Sequence, residues 1–152
     1  MFAVAVHNIY SSVKLQEVSE VILAFPEVDI FIMSRAYSTA AQSGVPDVEK
    51  KLFTSGRKVL YLPDIGDINE VLSPDYHYMI VPTRMSEKKI DIEYIRRIIR
   101  GDGRVVISVS GGDTPFTLKE LEYGEPVNIG IDRHIPPAAS IAIILAKIFN
   151  RL

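Results

Sequence analysis

Three stretches of this chain put ligand-binding and proton-transferring residue types directly after apolar runs. They are Pro82-Thr83-Arg84, then Ser108-Val109-Ser110-Gly111-Gly112-Asp113, and Ile129-Gly130-Ile131 with Asp132-Arg133-His134-Ile135-Pro136-Pro137 behind it. Glycine lets a backbone approach a ligand closely or take up a positive φ, so such runs suit a pocket built from main-chain groups. Asp113 could serve as a general base or receive an amino group; it serves equally as a turn residue bonded to its own backbone. Arg84 could hold a phosphate or carboxylate, and Arg133, His134 and Arg35 are further candidates, each equally readable as a solvated side chain. Histidine is the residue type best suited to proton transfer near neutral pH, which is why His134 is among the candidates. No Lys-Ser/Thr follows Gly111-Gly112, so the pair is no triphosphate loop, and by itself it is equally a plain turn. The three histidines, His7, His77 and His134, are scattered and form no zinc motif.

The totals set the frame for that chemistry. A chain of 152 residues, 47% hydrophobic and 24% charged, is long enough for one domain with a real core, and residues 1–152 are read as one domain. There is no cysteine, which excludes disulfides and thiol catalysis and fits a reducing cytoplasm. No apolar run reaches the roughly 18 residues that cross a bilayer, so no membrane partner is expected. The opening "MFAVAVHNIY" reads as a first strand and not a signal peptide. A net charge of -2 and a pI near 5.9 exclude grip on nucleic acid by bulk charge; a local patch would be needed.

The elements that must position the candidates follow from periodicity. "FAVAVHNI", "DIFIMS", "KVLYLP", "HYMIVP", "RVVISVS" and "PVNIGI" read as six strands. Between them lie a helix after Ser11-Ser12, one from Pro46 to Gly56, a short one at "DINEVLS", and "DIEYIRRIIRGDG" with Ile92, Ile95 and Ile99 on one face. A helix after Gly111-Gly112 is expected with Thr114 as N-cap and Pro115 at its first position. The last helix opens at or near Pro136-Pro137. Continuous Val/Ile/Leu runs such as "RVVISV" mark strands buried on both faces. The fold class is therefore a three-layer α/β/α sandwich around a mainly parallel sheet, which places ligands beyond the carboxyl ends of the strands.

From Val105 to Leu152 the order of features resembles the cofactor-binding half of the SPOUT methyltransferases, in particular their ribose-methylating branch. The matching runs are "VVISVSGGDTPFTLKEL", "EPVNIGI" and "PPAASIAIILAKIF". The sequence also looks like a group of small archaeal proteins with this ending. The resemblance implies a C-terminal trefoil knot, S-adenosylmethionine as cofactor and RNA as substrate. It implies that Gly111 and Gly112, with Ser110 before them, pass the ribose and methionine part of the cofactor. Ile129, Gly130 and Ile131 would surround the adenine, Thr83 would form a third wall, and Pro136 and Ala138 would pack the last helix behind the pocket. Catalysis would fall to Asp113 and Arg84. The departures are clear: the loop reads Gly-Gly-Asp, prolines and alanines replace a Ser/Asn pair, and Glu20 stands where the branch has an arginine. A non-catalytic binding protein on the same scaffold, or an unrelated nucleotide-binding domain, are the alternatives.

Two surfaces remain. Lys88, Lys89, Arg96, Arg97 and Arg100 cluster before and on the fourth long helix, but Glu87, Asp91 and Glu93 are interspersed, so the cluster reads first as an exposed, salt-bridged face. In the closing helix, only Ser140 and Lys147 are polar between residues 138 and 149. Both of its sides need cover, which predicts a two-fold homodimer built around it.

Overall fold

The computed structural model describes residues 1–152. Six strands, β1 (Phe2–His7), β2 (Ile30–Ser34), β3 (Lys58–Leu62), β4 (Tyr76–Ile80), β5 (Val105–Ser110) and β6 (Glu125–Val127), form one sheet in the order β3-β2-β1-β5-β4-β6. Every pairing is parallel. The central β1 and β5 are buried along their whole length, as their unbroken apolar sequences require.

Five helices cover the sheet: α1 (Ser12–Ala24), α2 (Val45–Thr54), α3 (Gly66–Leu72), α4 (Ile92–Arg100) and α5 (Pro137–Ile148). Ser11 caps α1 by accepting from the Lys14 amide, and Asp91 caps α4 by accepting from the Tyr94 amide. A π-turn at Ala40–Gly44 leads into α2. The alternation of side chains along each strand separates two cores. Phe2, Val4 and Val6 of β1 join Leu15, Val18, Ile95, Ile141 and Ile144 in a 26-residue cluster under α1, α2, α4 and α5. Ala3 and Ala5 face the other way, into an 11-residue cluster with Ile68, Leu72 and Phe116 under α3.

One expected element differs. The segment after Gly111-Gly112 does not start a helix at Thr114; it runs as bends to a single 3-10 turn at Glu120–Tyr123. Thr117 and Glu120 bond reciprocally, side chain to main chain, and the turn begins at Glu120, five residues after Pro115. No helix is long and apolar enough to cross a membrane.

A candidate cleft at the carboxyl ends of the strands

Beyond the carboxyl ends of β4, β5 and β6 lies a cleft of 340 Å³, much of it open to solvent. Ile80, Val81 and Pro82 form one wall, Val109 and Ser110 the floor, and Ile129, Ile131 and Ile135 the other wall. Arg133, His134 and Ser140 supply its polar groups together with Ser110. Two main-chain links hold the walls in register: Val81 donates to Val127 O at 3.0 Å, and Thr83 donates to Ile131 O at 3.1 Å. Gly130 turns the chain between the two isoleucines at φ +84°, a conformation that favours glycine. His134 Nε2 donates to the carbonyl of Gly112 at 2.7 Å, which places the proton on Nε2 and leaves Nδ1 as an acceptor when the ring is neutral.

Of the residues expected at a site, Ser110, Ile129 and Ile131 line this cleft, as do the further candidates Arg133 and His134, while the others lie beside it or apart from it. Gly111 packs against β1: a Cβ there would meet Ile9 Cβ and Val6 Cγ2 at 2.9 Å, and its amide donates to His7 O at 2.7 Å. This glycine permits close packing of two chain segments. Gly112 faces Asn8. Arg84 is exposed and lies beside Asp132, whose carboxylate accepts from the Arg84 amide at 3.0 Å. Pro136 caps α5, and Ala138 is half-buried in its first turn.

Asp113 is also exposed. It accepts from Lys14 Nζ at 2.9 Å and from the Tyr10 hydroxyl at 2.9 Å. The hydrogen bonds from Lys14 and Tyr10 hold its carboxyl below the ordinary range. A carboxylate so stabilised is a weak base, which removes the main reason for placing proton abstraction there. Glu20 pairs with Lys51 on the surface, at 2.8 Å.

A second constellation was not anticipated. In-register pairing sets Ser34, His7 and Ser110 side by side across β2, β1 and β5. His7 is fully buried, with Nε2 2.7 Å from Glu120 Oε2 and Nδ1 2.8 Å from Ser34 Oγ. Burial lowers its pKa, with the Glu120 carboxylate opposing that shift. The neutral ring therefore donates to Glu120 and accepts from Ser34. Hydroxyl, imidazole and carboxylate stand in the order of a nucleophilic triad, yet Ser34 and His7 are both 0% exposed. No substrate reaches that hydroxyl, so the network is structural: it fastens the segment after β5 onto the sheet. Sequence offered only the Thr117-x-x-Glu120 pattern as a signal, and nothing linked Glu120 to a histidine 113 positions away. The other buried pair, His77 Nε2 to Ser108 Oγ at 2.6 Å, is likewise sealed.

A parallel six-stranded sheet with an apolar cleft at its carboxyl edge defines the class of the fold, and known proteins share it. The chain superposes on the SpoU methyltransferase AviRb from Streptomyces viridochromogenes with a TM-score of 0.71 at 9% identity, covering 99% of this chain and 59% of that one. It superposes on the TrmH/SpoU tRNA modifying enzyme of A. aeolicus with a TM-score of 0.64 at 10% identity, covering 99% and 74%. At such identities these likenesses carry the fold alone.

The family is given by sequence. A family model described as "RecB-family nuclease (DUF2122)" matches residues 38–147, and the chain belongs to that family. It is 27% identical over 149 residues, 98% of this chain and 97% of the relative, to the "Putative type II restriction enzyme MjaORF1200P" of Methanocaldococcus jannaschii. A protein of Aeropyrum pernix with the corresponding description, ApeKORF2002P, is 27% identical over 140 residues, 91% and 86% of the two chains. These findings overturn the expectation of an RNA methyltransferase. The resemblance that carried it rested on the order of backbone features, which is a property of the fold and is shared across different activities.

Proposed function

We propose that this protein acts on nucleic acid, in keeping with the nuclease description of its family, and that its strand-end cleft is a binding site for a nucleoside moiety. The observation that carries the reading is the cleft itself: apolar walls of Ile129, Ile131, Ile80 and Val81 with a few convergent polar groups. Apolar walls with a few convergent polar groups are the usual make-up of a small-molecule site. A flat base and sugar need the isoleucine side chains to shift rotamer as they enter. S-adenosylmethionine is the nucleoside ligand that the sequence resemblance implies, and it is the first to test.

No hydrolytic step is derived. Metal-assisted phosphodiester cleavage needs carboxylates or histidines converging on a cation. No three His, Asp or Glu side chains converge in this chain to hold one. The test has two separate readouts. Calorimetric titration with S-adenosylmethionine, S-adenosylhomocysteine and adenosine is expected to show binding that Ile131→Trp abolishes without lowering the melting temperature. Heat from none of the three would sink the cleft reading. Incubation with linear and circular DNA, with and without Mg²⁺, decides separately whether this chain alone has the activity named for its family.

Two finer features belong to the same reading. A trefoil knot formed by the last segment is supported by the likeness to SpoU-type folds. A two-fold dimer is supported by the outer side of α5, where Ala139 is exposed and Ala142, Ile143 and Ala146 are half-buried, while α1 and α4 cover the inner side. A constant monomer mass by light scattering across concentrations would remove the dimer.

A further inference from the structure

The polar groups of the cleft are of one electrical kind. Its lining contains Arg133 and no Asp or Glu. Arg133 takes part in none of the chain's ion pairs. The three other polar side chains differ sharply in what they have left to offer. Ser110 Oγ already donates to Thr114 O at 2.8 Å, and His134 Nε2 already donates to Gly112 O at 2.7 Å. At the start of α5, Pro136 and Pro137 carry no amide N–H, and those of Ala139 and Ser140 turn back to Pro136 O. Ser140 is the exception. It lines the cleft and is 6% exposed, and its hydroxyl has no partner within the chain while still being reached by solvent. A polar group in so buried a residue is ordinarily bonded.

We propose that Ser140 and Arg133 form an anion subsite in this cleft, and that its ligand is a nucleoside carrying a phosphate monoester, such as a mononucleotide or a phosphorylated strand end. A hydroxyl donor and an unpaired guanidinium lining one cleft suit a phosphate oxygen array, and the apolar walls suit a base once the isoleucines shift rotamer. The same geometry disfavours a sulfonium or ammonium group, because no carboxylate faces the cleft to balance a cation. The carboxylate of S-adenosylmethionine is the other source of negative charge that Arg133 could meet. The inference rests on the cleft being a nucleoside site and adds the charge and position of the ligand's anionic end.

The experiment is titration of the full chain with AMP, adenosine, S-adenosylmethionine and inorganic phosphate, for wild type, Ser140→Ala and Arg133→Gln. AMP is expected to bind at least about 10-fold more tightly than adenosine or S-adenosylmethionine, which is the worth of one good charge-assisted hydrogen bond. Each substitution is expected to lower AMP affinity about 10-fold and leave adenosine affinity unchanged. Melting curves confirm that both variants fold; Arg133 lies on the surface, so Arg133→Gln keeps the test open if Ser140→Ala disturbs α5. Equal affinity for AMP and adenosine, or S-adenosylmethionine binding more tightly than AMP, overturns the anion subsite while leaving the cleft reading intact. Failure of all four compounds to bind removes the cleft reading and this inference with it.

Discussion

The two faces of the sheet are made from the same strands but solve burial differently. Under α1, α2, α4 and α5 the strands present Phe, Val, Ile, Met and Tyr, and the cluster holds 26 buried residues. Under α3 and the 3-10 turn the cluster holds 11, and the same surface carries Ser34, His7, Ser110, Ser108 and His77. The first face stabilises by area removed from water and tolerates any side chains that fill it well. The second must match donors to acceptors one by one, since an unmet polar group there costs more than a made hydrogen bond returns. It also carries the segment that leads into the cleft. Glu120 fastens that segment to His7, Asn69 holds Tyr123 O at 2.7 Å, and His134 clasps Gly112 across the cleft mouth. The difference teaches that mass of core sits on one face, while the polar contacts that fasten the segment after β5 sit on the other.

Four measurements break or sharpen this contrast. Leu15→Ala on the large face, at a fully buried position, is expected to cost about 2–5 kcal/mol in chemical denaturation without moving cleft binding. A loss of nucleoside affinity in that variant, while still folded, would erase the division of labour.

Acid comes next. Burial depresses the His77 pKa from 6.5 to about 4, and burial lowers that of His7 in the same direction. The unfolded chain then binds more protons than the folded one across that interval. The stabilisation is complete above pH 6.5 and is lost as the pH falls toward about 4, by up to roughly 3 kcal/mol for His77. Denaturation at pH 7.5, 5 and 4 should show the fall, and His77→Gln should flatten it; a wild-type profile without slope would refute the sealed-histidine description.

Glu120→Ala leaves the His7 ring without its carboxylate and is expected to cost about 1–3 kcal/mol. Hydrogen exchange should speed up selectively between residues 111 and 124, and Glu120→Gln, which still accepts from Nε2, should behave nearly as wild type. Uniform exchange across the sheet would show that the contact does not fasten the segment. The smallest effect is Glu20→Gln, which removes a half-exposed pair with Lys51 and should change stability by about 0.2–1 kcal/mol at most.

Much of the fold was legible because strand and helix periods are local. The run "RVVISVS" in β5 could be read as doubly buried, and Ser11 and Pro137 marked where α1 and α5 begin. The helix expected at Thr114 was not found because Thr117 and Glu120 offered a competing cap a few residues later. The candidate site was legible in part. Strand-end reasoning brought Ser110, Ile129 and Ile131 to one cleft, and did not foresee that Gly111 packs closely against Val6 and Ile9. It passed over Ser140 as one of two polar positions on an apolar helix.

By itself, then, the order of residues determined the layers, the parallel sheet, the absence of thiol chemistry and the family, because each depends on local pattern or on alignable sequence. Only the tertiary structure decided which polar groups are satisfied. That Asp113 is held by Lys14, that His7 is held by Glu120, and that Arg133 and Ser140 are left free depends on pairs drawn together from distant parts of the chain. Hydrogen bonding and charge act over a few ångströms of space, and no spacing in the sequence records those distances.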